Sequence, residues 1–185
     1  MGWLVLLAVM VFAALWGVAI YNGLVRRKNV VAEAWGDVDV QLKRRADLIP
    51  NLVETVKGYA AHERSVFDEL AQLRAGAQGR GDVAARAQTE TAIGAAIGRV
   101  LAVAEAYPDL KASANFQSLQ KELADIEDQI QMARRYYNGA VRDYNVATQQ
   151  FPSNLVAGLG GFKPAAFFEI DNAADRAAPG VSFPG

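Results

Sequence analysis

The chain has 185 residues, of which 52% are apolar, with 19 basic and 20 acidic side chains, one histidine and no cysteine. That length suits one domain with a core of its own plus an appended segment. Without cysteine there can be no disulfide, thiolate catalysis, cysteine-ligated zinc, iron–sulfur cluster or lipoprotein anchor, and a net charge of −1 supplies no global field for nucleic acid.

Trp3 to Ile20 form an uncharged, mostly apolar run, and the first charged side chain is Arg26. As a helix the run spans about 27 Å, close to the thickness of a bilayer hydrocarbon core. Trp3 and Tyr21 bracket it at the depth where amphipathic rings settle. Arg26, Arg27 and Lys28 follow at once, placed for lipid headgroups at about 1 kcal/mol each. The positive-inside rule then predicts residues 1–21 as a single-pass anchor in the bacterial inner membrane, with the N-terminus outside and the remainder cytoplasmic. A cleaved signal peptide is the rival, because Gly17-Val18-Ala19 loosely resembles a cleavage site; the run lacks a basic n-region and is too long for one. Myristoylation after Met1-Gly2 fails because position 6 is Leu.

From residue 22 the apolar period is helical. Val31, Trp35, Val38, Leu42 and Arg45 mark a first stripe; Ile49, Val53, Val56, Ala60, Glu63, Phe67 and Leu70 mark a second. Asp47 as N-cap with Pro50 in a first turn favours a break at 46–49 over one long helix kinked at Pro50. The glycines between Gly76 and Asp82 read as a loop, and Asp82 can cap a third helix with the stripe Ile93, Ile97, Val100, Ala104 and Tyr107. Gly94 and Gly98 on that helix admit close approach of a neighbour. Tyr107-Pro108-Asp109 ends it. The last helix carries an unbroken three–four seam through Phe116, Leu119, Leu123, Ile126, Ile130, Ala133, Tyr137, Ala140, Tyr144, Ala147 and Phe151, as in a coiled coil.

These segments predict an all-α fold, an antiparallel four-helix up-and-down bundle over residues 22–151 with a long last helix and an irregular tail over 152–185. The last helix exceeds the others by about 15 Å. The bundle must therefore tilt, the helix must protrude, or its excess must pair with another protomer. The tail is rich in proline and glycine, yet it holds Phe162, Phe167, Phe168 and Phe183, so it is expected to dock rather than float.

Tyr21-Asn22-Gly-Leu-Val25, Arg27-Lys-Asn29, Ala34-Trp35, Val40-Gln-Leu-Lys-Arg-Arg45 and Asp47-Leu-Ile-Pro-Asn-Leu-Val53 resemble the LemA family of bacterial membrane proteins. Lys57-Gly-Tyr-Ala60, His62-Glu63, Tyr107-Pro-Asp-Leu-Lys-Ala112, Asn115-Phe116, Leu119-Gln120, Ala133-Arg134, Tyr137-Asn138, Tyr144-Asn145 and Phe167-Phe-Glu169 continue the resemblance over nearly the whole chain. It implies a cytoplasmic four-helix bundle behind an N-terminal span. A magnetosome-biogenesis protein shares the family, which points to membrane organisation. No catalytic residue comes with it. Gly36, where serine is common, is the one departure noticed.

Candidate chemistry is sparse. A di-iron bundle needs two Glu-x-x-His motifs, and His62 is the only histidine, so no metal or other cofactor is expected. His62 and Glu63 would point about 100° apart on a helix, a poor acid–base pair. Arg45 and Glu63 both fall on apolar stripes, and a structural ion pair or snorkelling suits them better than catalysis. Lys43-Arg44-Arg45 reads as a solvated face, about 37 Å along the first helix and too far from lipid. Tyr137-Asn138 and Tyr144-Asn145 repeat at seven residues and suit either a polar layer setting helix register or a partner-facing ladder. Phosphate-binding glycine loops and a Gly-x-Ser-x-Gly elbow are missing. The expectation is a non-enzymatic scaffold. Tyr137, Asn138, Tyr144, Asn145, Phe162, Phe167 and Phe168 would form its interaction surface, and lipid plus a second copy or membrane-protein partners would be its contacts. An adaptor subunit of a membrane protease or secretion complex is the alternative, and an uncharacterised enzyme a distant third.

Overall fold

The structure is a computed structural model and describes residues 1–60, 62–77 and 82–169. These form helices α1 (Gly2–Lys57), α2 (Arg64–Gly76), α3 (Val83–Glu105), α4 (Pro108–Lys111), α5 (Ala114–Gln149) and α6 (Ser153–Leu159). Among the described residues there is no strand, so the fold is all-α as expected. Two compact units are built from them. One comprises residues 1–41 with 129–167; the other comprises 42–128 and includes Phe168.

The second unit is a bundle of four helical segments. Ile49, Leu52 and Val56 from α1, Phe67 and Leu70 from α2, Ile93, Ala96, Ile97 and Val100 from α3, and Phe116, Leu119 and Leu123 from α5 bury into one core. Tyr107 precedes α4, whose first residue Pro108 needs no amide partner there. Asp82 occupies the N-cap position of α3, but its carboxylate makes no capping bond. The loop residues 78–81 lie outside the described residues.

One expectation is corrected. The chain does not break at 46–49: α1 is a single helix of 56 residues with Pro50 inside it. The buried positions Ala34, Val38, Leu42, Arg45, Ile49, Leu52 and Val56 keep an unbroken three–four phase across the proline. Proline removes the amide that would have bonded the carbonyl of Ala46, a loss that normally bends or breaks a helix. Here Arg74 Nε donates to that carbonyl at 2.8 Å. The break falls instead at 58–63, beginning at Gly58, where glycine costs about 1 kcal/mol in a helix. Phe67 and Leu70 then return antiparallel onto the core, whereas a continued helix would carry Phe67 about 27 Å beyond Ile49. Glu63, expected on an apolar stripe, is accordingly exposed.

In the first unit, α1 and α5 pair antiparallel: Leu24 packs with Ala147 and the Trp35 ring meets Tyr137. Phe151 closes the predicted seam, yet it lies beyond the end of α5 and is exposed. The tail expected to be irregular opens with α6 before continuing without helix or strand over 162–169.

The carbonyl of Ala46 supplies a direct test. Arg74→Met is expected to cost about 1–3 kcal/mol by stranding it. Pro50→Ala restores an amide at that position, so in a Pro50→Ala background the same change should cost much less. Denaturant unfolding of the unsubstituted protein and the three variants in detergent, followed by circular dichroism, measures the cycle.

Candidate functional site

Two arrangements of polar groups stand out, one in each unit. In the bundle, Arg45 is 3% exposed and Glu90 2%. Arg45 Nη2 lies 2.6 Å from Glu90 Oε2 and also donates to the Glu90 carbonyl at 3.1 Å. Arg45 Nη1 reaches Glu127 Oε2 at 2.9 Å, and Arg86 Nε lies 2.9 Å from Glu90 Oε1. Gly94 faces this guanidinium, where an added Cβ would sit 3.8 Å from Nη1, while Gly98 faces open space. The expected pair of close-approach glycines therefore serves a side chain at one position and solvent at the other. Sequence analysis identified Arg45 but missed Glu90. The signal was available: Glu90 sits three residues before Ile93 on the buried stripe of α3. Arg45 and Glu90 are buried in the bundle, whereas Glu127 is half-exposed. His62, like Glu63, is exposed in the turn before α2. Among the described residues no three histidine, aspartate or glutamate side chains gather as a metal site would require.

The second arrangement lies on the C-terminal half of α5, where the seven-residue repeat holds the chain's own tail. Tyr137 Oη donates to the carbonyl of Ala166 at 2.8 Å and Tyr144 Oη to that of Lys163 at 3.0 Å. Asn145 closes a two-bond clasp on Ala165: its Nδ2 donates to the carbonyl at 2.9 Å, and its Oδ1 accepts the amide at 2.8 Å. Asn138 is half-buried on the same helix. Residues 163–166 thus form a strap whose backbone is bonded to side chains rather than to a sheet. The strap begins with a Schellman turn after α6. The Phe162 amide bonds the Ala157 carbonyl at 3.0 Å, the Gly161 amide bonds Gly158, and Gly161 has a φ of 68° that favours glycine. Phe162 then stacks edge-on against Tyr21 with ring centroids 5.3 Å apart. Phe168 is fully buried, in the second unit, and Phe167 stays exposed; Phe183 lies outside the described residues.

Around the start of this site, Trp3 and the apolar run to Val18 are exposed. Arg26, Arg27 and Lys28 are exposed too, and the two arginines line a shallow groove with Ala19, Asn22, Gly23 and Val30. Further along the hairpin, Val40, Met132 and Tyr136 are exposed apolar side chains. They edge a groove of about 320 Å³ shared with Asp37, Gln41, Gln129 and Ala133.

Both arrangements are testable. Arg45→Met should cost about 1–3 kcal/mol because the buried Glu90 carboxylate keeps only Arg86, and adding Glu90→Leu together with Arg86→Leu should recover most of that loss. Glu127→Gln, at a half-exposed partner, should change stability by under about 1 kcal/mol; thermal unfolding in detergent reads all three. For the strap, Asn145→Ala should speed hydrogen exchange at the Ala165 amide by about tenfold, as expected for the loss of roughly 1.4 kcal/mol of hydrogen bonding. Burial raises the Tyr144 phenol above its ordinary value of 10.0. A raised value means the folded form holds its proton longer than the unfolded one. Its contribution is complete below pH 10 and falls as pH climbs through the folded-state value. Tyr144→Phe should flatten that alkaline decline.

Comparison with known proteins places the chain. It is 28% identical over 181 residues to magnetosome protein MamQ 2 of Paramagnetospirillum magneticum, covering 84% of this chain and 66% of that protein. It is 26% identical to magnetosome protein MamQ of Magnetospirillum gryphiswaldense, with the same coverage. Identity is also 26% to protein LemA of Metamycoplasma hominis, covering 74% of this chain and 63% of that one. The chain thus spans a little under two thirds of the length of the relatives it matches. The model of the LemA family matches residues 34–183, taking in both the buried ion pair and the tail strap, and the chain belongs to the LemA family.

Proposed function

We propose that this protein is a non-enzymatic scaffold anchored in the bacterial cytoplasmic membrane. It would have its N-terminus outside and its helical domain in the cytoplasm, working through outer surfaces rather than a pocket. The family is membrane-associated, and α1 opens with a stretch of mean hydropathy 2.6, none of it buried, long and apolar enough to cross a bilayer. The basic cluster at Arg26, Arg27 and Lys28 favours the cytoplasmic side for everything that follows.

The carrying observation is where the polar ladder goes. Tyr137, Tyr144 and Asn145 are occupied by the strap, so a partner meets the neighbouring surface instead. Val40, Met132 and Tyr136 present exposed apolar side chains on both helices of the hairpin. Such a patch suits a second copy or a helix of another membrane protein. The magnetosome relatives suggest membrane organisation as the setting.

A photo-crosslinking residue in place of Tyr136, used in intact membranes, tests this. Discrete dimers or larger species support a self-assembling scaffold. One reproducible hetero-product supports the adaptor reading, as a subunit of a membrane protease or secretion complex. Monomer alone, with a control label in the span behaving normally, overturns both.

A further inference from the structure

The strap and the hairpin leave one conspicuous surface unused, at the end of the molecule where α1 emerges from its apolar run. Phe151, Leu155 and Leu159 are 80%, 59% and 93% exposed. Their spacing of four places them on one face of α6 and the turn before it. The other face is packed: Val156 and Ala157 lie against Ile20 and Leu24, the last turns of the apolar run and the first beyond it. Ser153 Oγ, 2.6 Å from the carbonyl of Ala147, ties the start of α6 back to α5. The short helix is therefore held beside the point where the span ends, with its most apolar face turned outward.

Charge is distributed accordingly. From Tyr144 to Phe162 the sequence has no charged side chain, although it follows a helix dense in them. The next residue is Lys163, exposed, and the nearest basic side chains on α1 are Arg26, Arg27 and Lys28. An apolar face followed by an exposed lysine, on a helix packed against α1 within one turn of its basic cluster, matches the boundary between acyl chains and anionic headgroups. A protein partner would have to cover Phe151 and Leu159 at a level already bounded by lipid.

We infer that α6 is a second membrane-contacting element. Phe151, Leu155 and Leu159 insert into the interfacial zone of the cytoplasmic leaflet beside the span, and Lys163 and the Arg26–Lys28 cluster rest on anionic headgroups. This rests on the reading of Trp3–Ile20 as a span. The hairpin is then fixed to the bilayer at two adjacent places rather than one, which limits its swivel about α1.

The chain has no cysteine, so single substitutions can be labelled cleanly. The full-length protein carrying Phe151→Cys, Leu155→Cys or Leu159→Cys, each with an environment-sensitive fluorophore, is reconstituted into phosphatidylcholine–phosphatidylglycerol vesicles. Val9→Cys reports the span, and Gln72→Cys, exposed on α2, reports water. The three α6 labels should be quenched most by nitroxides placed about 5–10 Å into the headgroup–acyl boundary, and several-fold less than Gln72 by aqueous iodide. Replacing phosphatidylglycerol with neutral lipid should make them shallower. Embedded Val9 with α6 labels as wet as Gln72 overturns the inference alone. Labels shielded from iodide yet untouched by lipid nitroxides indicate a protein cover and overturn it too. A wet Val9 overturns the span reading and this inference together.

Discussion

One hydrogen bond compensates for the proline inside the long first helix. Pro50 removes the amide that would satisfy the Ala46 carbonyl, and Arg74 Nε replaces it from α2 at 2.8 Å. The donor comes from the helix that folds back against this part of α1, so packing and helix continuity support each other. Arg74 also stands in the last turn of α2, where a cation suits the exposed carbonyls of a helix end. Within the first unit, α1 gives α5 an antiparallel partner. The C-terminal half of α5 can then present Tyr137, Tyr144 and Asn145 to the returning tail.

Two polar arrangements of the molecule are directed inward. In the bundle, the buried carboxylate of Glu90 is neutralised by the guanidinium groups of Arg45 and Arg86. Ion pairs of this kind add little net stability over apolar packing, but they penalise every register that separates them. On the hairpin, the clasp of Asn145 and the two tyrosine hydroxyls treat the strap as a sheet would treat an edge strand, satisfying amide and carbonyls with side chains. Exposed apolar side chains gather at the span, on α6 and around Tyr136.

Sequence reading reached the helical class, the apolar run, the long seam of α5 and the family. Each depends on local pattern: hydropathy over a window, a three–four period, or strings of adjacent residues. The turn at 46–49 was misplaced because Asp47 and Pro50 form a sound local start signal. The contrary signal was the phase of the stripe, since Arg45 to Ile49 is a step of four and the period never slips. Glu63 was misread for the same reason, by extending a helical stripe through a region that turns at Gly58. Glu90 lay on a stripe in plain view, but a buried carboxylate is recognisable only beside its cation.

By itself, then, the sequence determined which segments are helical, which face of each is apolar, and that one stretch is suited to lipid. These follow from side-chain type and spacing along a single element. Where the chain turns, which guanidinium meets which carboxylate, and what the tyrosine–asparagine repeat holds were decided only in three dimensions. Such choices hinge on donors and acceptors far apart in the chain: Arg74 with Ala46, Arg45 with Glu90, and Asn145 with Ala165. No local pattern encodes the partner, because a polar group must be satisfied by whatever folding brings within 3 Å of it.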